Sequence, residues 1–238
     1  MVKIFRSEFL KMKKSTIWLL IFISPILASL TIAFGDQEDW SYAYAIMTLV
    51  HAVLFLPLLT GVFSAFVCRF EHIGGGWKQL LALPVSRRNV YIVKLLIVFG
   101  LLAITQILFL LGLMLVGHVR HYSGDIPWEM ILKGLIGGWI ACMPLAALQL
   151  YVSVAWSSFA APLAVNVIFT LPNILIVNSE KYAPFYPWAQ PFLAMTPSSG
   201  GEGIMNFNVS SETLFIVIIG GFLLFFLSGL VYFQRKEI

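Results

Sequence analysis

Residues 95–116 read LLIVFGLLAITQILFLLGLMLV, an apolar run without a single Asp, Glu, Lys or Arg. A helix crossing about 30 Å of hydrocarbon needs roughly 20 such residues. One charge at its centre would cost about 2.5–3.5 kcal/mol on insertion scales. The run therefore predicts a membrane-spanning helix. Working outward, the stretches 17–34, 42–67, 135–155, 160–177 and 214–233 have the same character and the same absence of charge. None alternates with period 2, which disfavours a membrane β-barrel. The expected fold class is an all-α polytopic membrane protein with six transmembrane helices.

The composition of the 238-residue chain agrees. It is 60% hydrophobic and 11% charged, with a mean hydropathy of +0.91, whereas soluble domains carry about 45–50% apolar and about 25% charged residues. That excludes a disordered chain. It also excludes a nucleic-acid binder relying on a basic surface, despite a formal charge of +4. Cys68 and Cys142 are too few for a disulfide framework and sit in apolar runs, as buried thiols do.

The location of the charge carries more than its sum. Lys3, Arg6, Lys11, Lys13 and Lys14 precede the first run; Arg69, Lys78, Arg87, Arg88 and Lys94 fall between the second and third; Arg235 and Lys236 end the chain. The opposite side holds Arg120, Lys133 and Lys181. Twelve against three is a clear positive-inside bias and predicts that both termini are cytoplasmic, as an even number of spans requires. The first run is too long for a signal-peptide core and lacks a small-x-small cleavage site, so it reads as a retained span.

The connections differ in content. In the segment 1–14, Val2, Phe5, Phe9 and Met12 share one arc at 100° per residue, beside a broad basic arc, which describes an amphipathic helix in the cytoplasmic headgroup region. In the loop 69–93, the glycines at 74–76 make a flexible break. Trp77 to Leu83 form a short helix presenting Trp77, Leu80 and Leu81. Pro84 ends it, and Ser86 caps the helix that carries Arg87 into the third span. Such a helix can dock in a groove of another protein through its apolar side, or lie in the lipid interface. The stretch 179–212 mixes Pro184, Pro187, Pro191 and Pro197 with Tyr182, Phe185, Tyr186, Trp188 and Phe192 and reads as an extracellular interfacial cap.

Glu71-His72, the glycine cluster, Trp77-Lys78, the run Leu81-Ala82-Leu83-Pro84-Val85-Ser86-Arg87 and Lys94 resemble the first cytoplasmic loop of type-2 ATP-binding-cassette (ABC) permeases. The nearest likeness is to the bacterial branch that serves bacitracin resistance and lantibiotic self-immunity, and it covers nearly the whole chain. The resemblance implies one transmembrane domain, 1–238, of the type-2 ABC exporter kind, in a bacterial cytoplasmic (plasma) membrane. The loop helix would be a coupling helix seated in a cleft of a separate ATPase subunit, with Glu71, Trp77, Lys78, Leu80, Leu81, Pro84 and Arg87 as candidate contacts. ATP would be bound by that partner, so the chain itself is expected to be no enzyme and to hold no cofactor. A second permease, identical or a sister chain, would complete the path, and the cargo would be a peptide antibiotic or similar amphiphile. The glycine cluster is richer than that family's pattern.

The residues contain no rival chemistry. Gly76-Trp77-Lys78 lacks P-loop spacing, and no span carries the carboxylates an intramembrane protease or ion pump would use. His118 and His121 have no third metal ligand, and His51 reads as a hydrogen-bonding core residue. Gln106, Gln149, Asn166 and Asn173 are costly to expose to lipid, so they should face protein or line a substrate path. A non-transporting membrane scaffold or sensor, holding a cytoplasmic partner through 69–93, is the alternative from a different functional class.

Overall fold

The computed structural model describes residues 1–13, 15–36, 38–72, 76–82, 84–156, 158–196 and 210–236. Helices follow the apolar runs. α1 (Val2–Met12) meets α2 (Ile17–Ala33) at a bend of 74°. α3 (Trp40–Val50) passes through a π-helical turn, His51–Phe55, into α4 (Leu56–His72), and the short α5 (Gly76–Ala82) leads to α6 (Arg87–Val119). α7 (Trp128–Ala141) and α8 (Met143–Ala155) are nearly continuous. α9 (Ala160–Thr170), α10 (Asn173–Ile176) and α11 (Gln190–Met195) are short, and α12 (Ser211–Arg235) is the last long rod. The described residues contain no strand, and one isolated bridge joins Asp39 to Ser123.

Among the described residues, four rods are long and apolar enough to cross a membrane: Trp40–His72, Arg87–Val119, Trp128–Ala155 and Ser211–Arg235. The bent pair α1 and α2 makes a fifth if it counts as one span. The two remaining apolar runs come out shorter than expected. α2 has 17 residues and rises about 26 Å at 1.5 Å per residue. The run 160–177 is broken after Thr170: Pro172 has no N–H to offer the Ile168 carbonyl, although Leu171 and Pro172 both keep right-handed helical dihedrals.

Pro57 also accounts for one of the buried polar contacts. Pro57 cannot donate to the Val53 carbonyl four residues back, and Asn173 Nδ2 supplies that donor at 2.7 Å. The π-helical turn lies just ahead of Pro57 and aims His51 into the core. Its Nδ1 is 2.5 Å from Ser24 Oγ and its Nε2 3.0 Å from Gln106 Oε1. Gln106 spends its amide nitrogen on the Leu135 carbonyl at 3.3 Å, so its oxygen faces the ring. The network therefore assigns His51 the Nε2–H tautomer, with Ser24 donating to Nδ1. His51 is the core residue that its isolation among apolar neighbours suggested.

The bundle has two dissimilar ends. At one, Arg120 Nη1 donates to Ala33 O at 2.8 Å and Tyr122 to Ile32 O at 3.2 Å, closing α2 against the end of α6. Asp39 caps α3 through Tyr42 N at 2.8 Å. Segment 183–195 packs into this half: Tyr44 donates to Met195 O at 2.8 Å, and Trp188 stacks on Phe169 with centroids 5.1 Å apart. The other end gathers α1, α5 and the C-terminus of α12.

Gly61 is a close-approach position, where an added Cβ would lie 2.2 Å from Asn166 Nδ2, and that nitrogen already donates to Pro57 O and Leu58 O. Gly61→Ala should therefore cost about 1–3 kcal/mol by overpacking. Gly220→Ala, with nothing within 4 Å of the new carbon, should stay within about 0.5 kcal/mol. Thermal unfolding of the two variants in mild detergent checks the contrast.

Candidate functional site

Three segments far apart in sequence meet where α1 crosses the ends of α4 and α6. Glu8, Glu71 and Lys94 are all buried, at 3%, 3% and 0% exposure. Lys94 Nζ lies 2.6 Å from Glu8 Oε2 and 2.8 Å from Glu71 Oε2. Lys11 Nζ closes the ring from the edge, 2.5 Å from Glu8 Oε1 and 2.6 Å from Glu71 Oε1. Lys94 also donates to the Val67 carbonyl. Two carboxylates and two ammoniums thus alternate in a neutral lattice, with every carboxylate oxygen charge-paired. Buried charge is tolerated only in this form, because the attraction must offset the loss of water from each ion.

The lattice brackets the loop. Glu71 is one residue from the end of α4 and Lys94 two turns into α6, so both roots of α5 are fixed to the same point. Local chemistry does the rest. Gly76 starts α5 so close to α4 that a Cβ would sit 2.7 Å from Phe70 O and 2.8 Å from Glu71 Cα. Packing therefore requires a glycine at 76. Ser86 Oγ accepts from Asn89 N at 3.2 Å and caps α6, as its position before the apolar run predicts.

Trp77 turns inward. Its Nε1 donates to His72 Nδ1 at 3.3 Å, its ring meets Phe233 edge-on at 5.1 Å, and Lys94 Nζ stands 5.7 Å from its centroid. His72 is free to accept on Nδ1 because its Nε2 faces Ser153 O at 2.7 Å. Arg87 Nη1 donates to Phe233 O, Gln234 O and Lys236 O at 3.3, 3.1 and 2.6 Å, supplying the last carbonyls of α12 with a donor. Lys236 does the same for α8, through Val154 O at 2.7 Å and Ala155 O at 3.3 Å, and burial pulls its ammonium below the ordinary lysine value.

The seven loop candidates therefore separate. Glu71, Trp77 and Arg87 are fastened to the bundle, and Leu80 is half-buried against the core. Lys78 and Pro84 are exposed, as are Gln79, Ala82 and Arg88 beside them. The expected hinge at Gly74-Gly75 and the helix end at Leu83 lie outside the described residues, as does the Leu81 side chain. On α1, Phe5 and Phe9 face outward, whereas Met12, assigned by periodicity to the same arc, is buried at 3%. Glu8 escaped the sequence reading. Its signal was there: it is the lone acid before Asp36, and at 100° per residue it falls between Ile4 and Met12, on an apolar flank.

The four buried amides serve the interior. Asn166 also accepts from Trp188 Nε1 at 2.9 Å, and Asn173 also donates to Trp188 O at 3.0 Å. The Gln149 amide is buried with no hydrogen-bond partner among the described residues. Gln106 is the one that borders open space, a groove of about 220 Å³ between α6 and α7 lined by Ala103, Ile107, Leu132, Ile136 and Trp139.

A family model described as ABC-2 family transporter protein matches residues 4–173, well over half of the chain and inclusive of Glu8, Glu71, α5 and Lys94. The chain belongs to the ABC-2 transporter family. Among curated proteins, this ABC-2 chain is similar to the bacitracin transport permease protein BCRB of Bacillus licheniformis. The two are 23% identical over 183 residues, which cover 76% of this chain and 84% of that one. It is an integral membrane protein and a permease subunit of an ABC transporter, the kind of subunit that is not itself catalytic.

Deleting one ion from the lattice should be far worse than deleting a balanced pair. Lys94→Met leaves two buried carboxylates with one partly exposed lysine, and should cost this ABC-2 permease about 3–5 kcal/mol. Adding Glu8→Gln to that variant restores neutrality and should recover a large part of the loss. Chemical unfolding in detergent of the single and double variants measures both.

Proposed function

We propose that this ABC-2 permease couples ATP hydrolysis on a separate ATPase subunit to the expulsion of an amphiphilic cargo, through α5 and the loop 69–93. The observation that carries the reading is the division of labour on that loop. Glu71, Trp77 and Arg87 clamp its inner side to α1, α4, α6 and α12, while Lys78, Gln79, Ala82, Pro84 and Arg88 are left facing outward. A short helix on so rigid a base would pass a push on its outer side into the bundle rather than absorb it.

In this reading the chain is one transmembrane domain with six crossings and both termini in the cytoplasm, the loop 69–93 being the coupling loop and 179–212 an outer cap. Supporting it, Glu8 of α1 and Lys236 past α12 are both bonded at the end that holds α5, and twelve of the fifteen Lys and Arg fall in the segments assigned to that side. A second permease, a copy of this chain or a sister, completes the path. The apolar groove floored by Gln106 and the charge-free spans suit an amphiphile rather than an ion. The relative's name, bacitracin transport permease, favours a peptide antibiotic as cargo in a bacterial plasma membrane.

Two measurements test this. Lys78→Glu with Gln79→Ala touches no interior contact, so insertion should be normal while recovery of the ATPase in mild-detergent purification falls about tenfold. Undiminished recovery together with full cargo resistance would remove α5 from the coupling role; transport lost without any ATPase bound in the parent would favour a scaffold. For topology, Cys68 and Cys142 are buried and give little background. A membrane-impermeant maleimide applied to intact cells should label Lys181→Cys and spare Lys3→Cys and Lys78→Cys.

A further inference from the structure

α1 has three faces, and the molecule uses one. Ile4, Glu8, Lys11 and Met12 turn toward α4 and α6. Val2, Phe5 and Phe9 form an exposed adjoining arc. Phe9 meets Trp18 edge-on at 5.7 Å, and Trp18 Nε1 donates to Met12 O at 3.0 Å, which braces the elbow between α1 and α2. Beyond that arc Lys13, Arg6 and Lys3 are exposed cations. Nothing on the helix offsets them, because Glu8, its one acid, points inward and is committed to Lys94 and Lys11. With α2 crossing a bilayer, the 74° bend would lay α1 along its surface. Exposed apolar side chains bordered by unopposed cations, held along the surface, have the charge complement of an anionic phospholipid leaflet.

Glu8 gives this contact somewhere to go. It bonds Lys94 beside the exit of the coupling loop and shares Lys11 with Glu71 at its entry. We propose that α1 is an arm that binds anionic phospholipid, and that Glu8 is the positioning residue through which its seating on the leaflet sets the order of α5. The inference rests on the cytoplasmic placement of α1 proposed above, but not on the cargo or on the ATPase.

The test is amide hydrogen exchange on the full chain in nanodiscs of phosphatidylcholine alone or mixed with phosphatidylglycerol. A near-surface Lys or Arg contributes about a fivefold factor toward an anionic membrane. Three of them should raise protection of residues 2–12 on the order of a hundredfold in the anionic discs, and added salt should erase the gain. Protection over 76–82 should rise with it. Lys3→Gln, Arg6→Gln and Lys13→Gln together should abolish both gains, whereas Glu8→Gln should keep the gain in 2–12 and lose that in 76–82. If Glu8→Gln does not fold, Glu8→Gln with Lys94→Gln keeps the lattice neutral and serves in its place. Equal protection of 2–12 in the two lipids, or a gain that survives the triple change, overturns the leaflet contact; an unresponsive 76–82 in the parent overturns the role of Glu8. Nanodiscs present lipid on both faces, so these outcomes do not depend on topology. Outside labelling of Lys3→Cys would instead strike the cytoplasmic placement.

Discussion

Three buried charges and a fourth at their edge set the geometry of one end of this protein. Glu8, Lys11, Glu71 and Lys94 come from three helices, and each stands within about 3 Å of its two opposite charges, without which a buried ion is not stable. An apolar contact tolerates sliding by a fraction of a side chain. A closed ring of charge-assisted hydrogen bonds does not, because a displaced ion is left facing a carbonyl or a hydrocarbon. The loop helix α5 inherits that precision at both of its roots. Trp77 on Phe233 and Arg87 on the last carbonyls of α12 extend it to the C-terminal helix. The end that would meet an ATPase is thus cross-linked by polar contacts, in a chain whose composition is overwhelmingly apolar.

The middle of the bundle follows another logic. There the polar groups are neutral, few and nearly all matched: Ser24, His51 and Gln106 form one line, and Asn166 and Asn173 hold Trp188 and the carbonyls around Pro57. In hydrocarbon, apolar side chains gain little from packing on each other rather than on lipid, so such hydrogen bonds fix which helices are neighbours. Gln149, with both amide atoms buried and unmatched, departs furthest from this pattern among the described residues; the Tyr91 hydroxyl, Asn173 Oδ1 and Gln190 Oε1 also lack a partner.

Much of this was readable from the sequence, for physical reasons that can be named. Charge-free runs declare helices because the cost of a buried charge is large and local; α6 and α12 follow 95–116 and 214–233 closely. Ser86 as a cap and a short helix after the glycine cluster were likewise local matters. The chain's membership of the ABC-2 family agrees with the resemblance carried by the loop. What the sequence hid was pairing at a distance. Lys11 and Lys94 counted as topology signals, yet in the folded chain they neutralise Glu8 and Glu71. Trp77 looked like an exposed anchor because Phe233 lies far along the chain. Met12 shares an arc with Phe5 and Phe9 on a helical wheel, but a wheel does not know which side α6 will approach.

The π-helical turn at His51–Phe55 has a consequence for biogenesis. Because Pro57 carries no N–H, the Val53 carbonyl waits for a donor that belongs to residue 173, more than a hundred residues downstream. That hydrogen bond between the second hydrophobic segment and the fifth cannot form until the fifth has left the ribosome. The first half of the protein is, in that sense, a template left open for the second to finish.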